Sequence, residues 1–459
     1  MAKMMRMSST VNISNRKKYM FTAVAFFAYF AFGLMDNING GTLMDIALLT
    51  GASGVGEIYY GVISQTIAYC LGSLLFGWLY ERVNRQLGYI VSLIVSGIAT
   101  LAIPHLTSPA AYIGLQVVFG LFIGGLDVAS NAWVLEIWGK ESKPFMQAMY
   151  LCYAIGMPII NAFIAPFLAK TASPASASNQ TSDSLLPLTN LTGNILNDSS
   201  PGQPSHIMVP YTITGAIVLA AAVIMIILLL LVPYTPTKSP SVEAITEPGT
   251  GLYESMEGDS KCYRMTVVGL GCILFSGAVG MQQLTSQTYV QQFVHFGGLQ
   301  ITTSTGSFMV SVMSLSYAIS LALCVPISIR VSPKIMVMTL IALMGSGSTL
   351  LLLFGNTSEP MIWISVILLG AGFGSSLASI YAFIGERIEV TDGLCGCFMF
   401  SARLSLIPCT LILANLIEST PMTLIYLNLT GFILCCLMVI GLILLDLNKK
   451  SKKRQIQAA

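Results

Sequence analysis

Charge is scarce in this chain. Only 9% of its 459 residues are Asp, Glu, Lys or Arg, against roughly a quarter in ordinary soluble domains. That scarcity excludes a soluble multidomain enzyme, which needs a charged surface, and a disordered scaffold, which is poorer in apolar residues. Histidine is rarer still, with three residues, all in loops and without metal-ligand spacing. No nucleophile–base pair, metal cluster or phosphate loop is found, so neither an enzyme nor a cofactor is expected. Ten cysteines are present, nine in apolar runs and Cys262 in a polar linker. None falls in the large polar loop at 170–207, so no structural disulfide is expected. Cys395 and Cys397 are too close together, and too deep in an apolar run, for a zinc site. The net charge of +2 carries no sign of a nucleic-acid partner.

Apolar side chains are what the sequence has in abundance. They make up 54% of the residues, and the mean hydropathy is +0.77. A chain this apolar cannot keep its surface in water, so lipid must be its solvent. A spanning helix needs about 20 apolar residues. Twelve segments qualify, at about 19–41, 57–79, 87–104, 111–134, 144–168, 209–232, 265–289, 303–328, 335–354, 360–385, 393–415 and 422–446. The expected fold class is an all-α membrane protein with twelve transmembrane helices. Gly124, Gly125, Pro158 and Pro408 lie inside these segments. Membrane helices tolerate such residues because neighbouring helices satisfy the freed backbone groups.

The basic residues set the expected orientation. The N-terminus, the loops after spans 2, 4, 6, 8 and 10, and the C-terminus together hold 20 of the 22 Lys and Arg. The opposite side holds Lys170, and Arg403 lies inside span 11. This asymmetry places both termini in the cytoplasm. The basic Arg16-Lys17-Lys18 start runs on past Phe30 without a clear cleavage site, so a retained first span is expected. The expected organisation is a tail at 1–18, a six-helix bundle at 19–232, a linker at 233–263, a second bundle at 264–446 and a basic tail at 447–459. The outer loop at 170–207 carries three acceptor sequons, at Asn179, Asn190 and Asn197, and glycosylation is expected there. The linker carries Pro233, Pro236, Pro240, Pro248 and several acids, the composition of a disordered connector.

The two bundles share a pattern. At an offset of 250, Gly120 meets Gly370, Gly124 meets Gly374 and Glu136 meets Glu386. At an offset of 248, Arg82-Val83-Asn84 meets Arg330-Val331-Ser332. Matching offsets at corresponding spans indicate a parallel repeat of six plus six helices. Transporters of that architecture rock about a site near the bilayer midplane.

At the end of span 2 stands Gly77-Trp78-Leu79-Tyr80-Glu81-Arg82-Val83-Asn84-Arg85-Gln86. This resembles the signature loop of the major facilitator superfamily, with Glu81 in place of its Asp and Asn84 in place of its second Gly. The resemblance implies a cytoplasmic gate formed by Gly77, Glu81, Arg82 and Arg85. The alternative to the gate is that these charges are merely topogenic residues on a solvated loop. Gly41-Thr42-Leu43-Met44-Asp45 after span 1, and Gly125-Leu126-Asp127 through Asn131 and on to Ile137-Trp138-Gly139, look like the sodium-dependent glucose transporter branch, relatives of bacterial fucose permeases. In span 7 that branch carries an acid after a Val-Gly pair. Here Val279-Gly280-Met281 is followed by Gln282. Gly156-Met157-Pro158 is only a fragment of the antiporter motif, which disfavours drug–proton antiport.

Polar groups at bilayer depth are costly, about 2.5–3.5 kcal/mol for an ionised side chain on insertion scales. They therefore face a cavity or a partner. Asp36, flanked by Asn37 and Asn39, lies in the outer part of span 1. It either meets substrate or a cation, or caps a helix that ends there. Asp127 lies in the inner half of span 4 with Asn131 at i+4 on the same face. It binds substrate or the coupling ion, or it makes a structural hydrogen bond. Span 7 ends in Gln282, Gln283, Gln287 and Tyr289. Amides suit a neutral polyol, and an aromatic ring can stack on its apolar face. Span 10 adds Ser375 and Ser379. Arg403 in span 11 keeps its charge and needs carboxylates, carbonyls or an anionic substrate. Spans 1, 4, 7 and 10 line the cavity in the superfamily.

The expected function is transport of a small polar solute by alternating access, a monosaccharide such as glucose in the first instance. Sodium is the coupling ion implied by the resemblance, and proton coupling through Asp36 or Asp127 is equally allowed by physics. The alternatives are a carrier for another small organic solute, anchored by Arg403 if anionic, and a non-transporting receptor or nutrient sensor. The expected partners are a small-molecule substrate and the lipid bilayer, for a monomer in the plasma membrane.

Overall fold

The computed structural model describes residues 15–80, 85–138, 142–168, 206–231, 261–289, 299, 301–327, 330–388, 392–416, 420 and 422–458. The described regular structure is helical throughout. In chain order the first half holds α1 (Asn15–Thr50), α2 (Val55–Leu79), α3 (Arg85–Ala102), α4 (Pro109–Trp138), α5 (Ser142–Ile164) and α6 (Met208–Leu231). The second half holds α7a (Lys261–Phe275), α7b (Met281–Tyr289), α8 (Thr303–Ile327), α9 (Pro333–Phe354), α10a (Glu359–Gly374), α10b (Ser376–Gly385), α11a (Asp392–Leu404), α11b (Leu406–Leu416) and α12 (Thr423–Ala458). Eleven described stretches are long and apolar enough to cross a membrane, and the broken α11 supplies a shorter one at Phe400–Leu416. The protein is an all-α, multi-pass membrane protein. Below, the inner end of each helix is the end beside the basic residues.

Each half encloses its own apolar core. In the first half, Phe21, Phe119, Trp133 and Met225 form one cluster, and Ile38, Tyr59, Ile164 and Tyr211 form a second. In the second half, Met309, Met313, Leu369 and Leu413 form one, and Phe275, Phe383, Phe398 and Cys435 form the other. Large apolar side chains such as Leu74, Leu230, Met265 and Leu353 point outward, which only a lipid solvent tolerates.

The repeat has a packing basis. A side chain on Gly120 or Gly124 would strike the carbonyl oxygen of Gln65 or Tyr69 on α2. A side chain on Gly370 or Gly374 would strike that of Met313 or Tyr317 on α8. All four pairs obey the two sequence offsets together. In both halves the fourth span approaches the second so closely that only glycine fits.

Three expectations change. The first span does not end near residue 41. Gly40 and Gly41 suggest a stop, yet α1 continues to Thr50, with Thr42 Oγ1 donating back to the Ile38 carbonyl at 3.0 Å. Gly41 serves packing, since a Cβ there would strike Ile164 of α5. The Gly41–Asp45 patch is therefore helical rather than a loop after the span. At the other end, the basic segment from 447 prolongs α12 to Ala458. Finally, three spans of the second half are interrupted. A π-helical turn at Ser276–Gly280 separates α7a from α7b. Ser375, at φ −114° and ψ 14°, separates α10a from α10b. Ser405 separates α11a from α11b, because Pro408 has no N–H for the Leu404 carbonyl.

Candidate functional site

The two halves meet along their outer ends. The Ser307 and Ser311 hydroxyls of α8 donate to the Asn161 and Pro158 carbonyls of α5, at 2.6 and 2.7 Å. Gly56 at the outer end of α2 lies against the Ala414 carbonyl of α11b. At the inner ends, the ion pairs stay within each half, Arg85 with Glu136 in the first and Arg387 with Asp446 in the second. This arrangement is closed on the outside.

Below the closed end, polar side chains gather at mid-membrane. Asp36 is 2% exposed. It is not a wet helix cap, because α1 continues well past it. Its Oδ2 accepts from the Tyr153 hydroxyl of α5 at 2.8 Å. The Asn37 amide donates to the same hydroxyl at 3.3 Å and to the Gly33 carbonyl at 2.9 Å.

On α4, Asp127 is half-buried and fully engaged. Its Oδ1 accepts from the Tyr29 hydroxyl at 2.7 Å and the Asn131 amide at 3.1 Å. Its Oδ2 accepts from the Tyr69 hydroxyl. Asn131 Oδ1 in turn accepts from the Tyr150 hydroxyl at 3.0 Å. The rings of Tyr29, Tyr150 and Tyr153 pack on one another, with Tyr29 lying 5.7 and 5.8 Å from the other two. The carboxylates of α1 and α4 thus sit in one phenolic lining drawn from α1, α2 and α5.

The second half answers with Arg403 and Gln283. The Arg403 guanidinium of α11a lies over the Tyr69 ring of α2, 4.3 Å from its centroid. It lies within electrostatic reach of Asp36 and Asp127 without forming an ion pair with either. The cation is therefore balanced by the other half of the molecule. Gln283 of α7b is buried and its amide stabilises the Asp36 carboxylate, although its Nε2 closes no hydrogen bond of good geometry. A buried donor left unmade is costly, about 1–3 kcal/mol. Its place in the repeat matches that of Asp36. Gly33 of α1 packs on the Tyr153 carbonyl of α5, and Gly280 packs on the Ala402 carbonyl of α11a, at nearly the same offset.

Other expected site residues scatter. Asn39 is not with Asp36. It turns into the first half, where its Oδ1 accepts from the Tyr211 hydroxyl of α6 at 2.8 Å and its Nδ2 is left without a partner. Ser375 and Ser379 are buried together at the α10 break, their hydroxyls 3.4 Å apart. Gln282 is half-buried beside Gln283. The side chains of Gln287 and Tyr289, and residues Glu81, Arg82, Asn179, Asn190 and Asn197, lie outside what the structure describes. Of the expected gate, Arg85 pairs with Glu136 at the inner end of α4, at 2.9 Å. Around Gly77, nothing lies within 4 Å of where a Cβ would be. A second inner ion pair joins Arg387 to Asp446 at 2.6 Å, with the guanidinium also over the Phe383 ring. Neither Arg387 nor the four tyrosines stand out in the sequence, because each is embedded in, or borders, an apolar run. The signal available for the tyrosines is their helical spacing relative to Asp36 and Asp127.

This fold, with a polar site buried between two bundles, defines a membrane carrier. The chain belongs to the Major Facilitator Superfamily, whose family model matches residues 21–301. A Mus musculus protein named sodium-dependent glucose transporter 1A is 24% identical over 390 residues, covering 82% of this chain and 85% of that one. The Homo sapiens sodium-dependent glucose transporter 1 is 26% identical over 200 residues, 43% of this chain and 38% of that protein's length. Among solved structures, a D-xylose-proton symporter has a TM-score of 0.64 at 14% identity, covering 93% of this chain and 97% of that one. The nucleoside transporter NupG has a TM-score of 0.62 at 13% identity, covering 94% and 99%. At such identities the solved structures establish the fold alone. The protein is a transporter of this superfamily, not an enzyme; it needs no cofactor and binds a small-molecule substrate inside the membrane.

Proposed function

We propose that the protein carries a neutral monosaccharide such as glucose, driven by a cation that binds at Asp36 and Asp127. One observation carries this reading: the buried Gln283 amide of the second half, set against the Asp36 carboxylate of the first without a hydrogen bond of good geometry between them. A hydroxyl bound between them accepts from the amide and donates to the carboxylate. A polyol presents many such groups. The phenolic lining adds flat apolar faces suited to a pyranose ring. An anionic substrate is disfavoured because Arg403 already has Asp36, Asp127 and the Tyr69 ring about it. Two carboxylates against one guanidinium leave room for one positive charge, a sodium ion or a proton. The choice of sodium rests on the names of the relatives. Plasma-membrane residence, cytoplasmic termini, a monomeric state and glycosylation at Asn179, Asn190 and Asn197 belong to the same proposal.

Reconstitution into proteoliposomes tests it. Labelled glucose uptake is measured under an inward sodium gradient, a potassium gradient and a pH step. Sodium-stimulated uptake that Asp127→Asn abolishes supports the proposal. Uptake of an organic anion that fails with Arg403→Gln overturns it in favour of an anion carrier. Solute binding without flux of any hexose overturns it in favour of a sensor.

A further inference from the structure

The lipid-facing surface of the second half holds a groove that the transport site does not use. Helices α8 and α9 follow one another through a short turn, where the Arg330 and Val331 amides both bond to the Ile327 carbonyl at 2.9 Å. Both helices pack on α10a, but not substantially on each other. The space between them is a cavity of about 440 Å³, floored by Ala371 of α10a. Its size falls within the range of small-molecule sites, roughly 300–1,000 Å³. Ile319, Leu323 and Ile327 form one wall, and Ile335, Thr339 and Leu343 the other. Ser316 and Ser320 also line it, but their hydroxyls are spent on the Ile367 and Ala371 carbonyls at 2.8 and 2.7 Å. The groove is therefore apolar in effect, and its walls are lipid-exposed side chains such as Ile319, Leu323 and Ile335.

Its length fits one leaflet. Along α8 it runs from Ser316 to Ile327, about 16 Å at 1.5 Å per residue. Half the hydrocarbon core of a bilayer is about 15 Å. It begins near mid-membrane and ends at the inner α8–α9 turn, where two cations directly precede the lining residues Val331 and Ile335 in the chain. Arg330 and Lys334 are both exposed. Neither forms an ion pair among the described residues. Basic pockets between spanning helices at the inner side bind anionic head groups.

We propose that this groove is a binding site for one anionic phospholipid of the inner leaflet. An acyl chain lies between α8 and α9 on Ala371, and Arg330 and Lys334 hold the headgroup phosphate. Ala371 stands one turn before Ser375, the residue at which α10 breaks. The bound chain thus bears on the helix that carries Ser375 and Ser379 into the transport site. The inference rests on the membrane reading of the fold and not on which solute is carried.

Native mass spectrometry of the purified full-length protein tests it, because lipid binding is read without any flux. Dioleoyl phosphatidylglycerol and dioleoyl phosphatidylcholine are titrated into delipidated samples. One phosphatidylglycerol per chain is expected to bind, with phosphatidylcholine much weaker. Removing two cations, in Arg330→Gln/Lys334→Gln, should weaken phosphatidylglycerol about thirty-fold. Leu323→Trp, at a position 55% exposed to lipid, should weaken it by filling the groove while leaving the charges and the packed core intact. Equal binding of the two lipids overturns the proposal, as does unchanged binding in the double variant and in Leu323→Trp. Displacement by free glycerol phosphate at similar concentration also overturns it, since the acyl chain would then contribute nothing.

Discussion

Replacing Arg403 with Gln tests whether an intramembrane charge ties the two halves together. Three contributions disappear with the guanidinium. The contact with the Tyr69 ring, at 4.3 Å, is worth about 0.5–2 kcal/mol. Attraction to Asp36 and Asp127 is lost. The Asp36 charge, 2% exposed, then has no cation near it. Breaking a fully buried ion pair costs about 3–5 kcal/mol. Arg403 makes no ion pair within 4 Å of either acid, and it and Asp127 are only half-buried, so its attraction falls well below this and about 1–2 kcal/mol is expected. Asp36→Asn keeps an oxygen to accept from Tyr153 and should cost about 1–2 kcal/mol. In the double variant neither charge is stranded, so its cost should fall about 1–2 kcal/mol short of the sum. Mixed-micelle denaturant titration of the four proteins measures the cycle. Costs that add to within about 0.5 kcal/mol, or an Arg403→Gln protein as stable as the parent, would show that Arg403 merely lines the cavity.

Three further outcomes are expected. Gly124→Leu and Gly374→Leu should each destabilise by about 1–3 kcal/mol or more, since the new side chain meets the Tyr69 or Tyr317 carbonyl. Gly114→Ala, with open space around it, should stabilise by about 0.5–1 kcal/mol, and thermal unfolding in detergent distinguishes the two behaviours. Glu136→Arg should lower uptake by repelling Arg85, and adding Arg85→Glu should recover most of it by restoring the 2.9 Å pair in reverse. Uptake that stays low in the double variant would assign Glu136 a role beyond the pair. Asn161→Cys with Ser307→Cys, in a background without other cysteines, should cross-link across the α5–α8 contact on mild oxidation. Transport should stop and return on reduction; transport that continues through the cross-link would mean that this contact does not open during the cycle.

The spans and their repeat were readable because lipid solvation and tight glycine contacts write themselves into composition and spacing. Gly120, Gly124, Gly370 and Gly374 are visible as an offset because α2 and α8 allow nothing larger at those places. Asp36, Asp127 and Arg403 were readable because a charge at that depth needs a reason. Their partners were not. Tyrosine is amphipathic, so Tyr29, Tyr69, Tyr150 and Tyr153 count as apolar in any run, although each hydroxyl binds a carboxylate or an amide. Asn39 was grouped with Asp36 by proximity in sequence, whereas its partner lies on α6. The end of α1 was placed early because glycine is a helix breaker in water, while in a packed membrane bundle Gly41 permits close approach instead. The π turn at Ser276–Gly280 leaves only a run of small residues as its mark.

The breaks are distributed unequally, and this bears on how such a site opens. Helices α1 and α4 run without interruption past Asp36 and Asp127. Each acid is bound by tyrosines of its own half, so acids and phenols move as one body. The groups that face them stand beside interruptions: Gln283 follows the π turn, Ser375 is the α10 break, and Arg403 precedes the α11 break. Local bending in the second half can therefore carry these groups away without disturbing the carboxylate network. The links that cross the site are few and modest. The Arg403–Tyr69 contact is worth about 0.5–2 kcal/mol, and Gln283 has yet to close its bond to Asp36. A crossing much stronger than this would hold the halves in one state. A solute that completes the Gln283 bond lowers the energy of the closed arrangement by about the cost of that orphaned donor, roughly 1–3 kcal/mol. That is enough to shift the populations of two states about five- to 150-fold, and not enough to trap either.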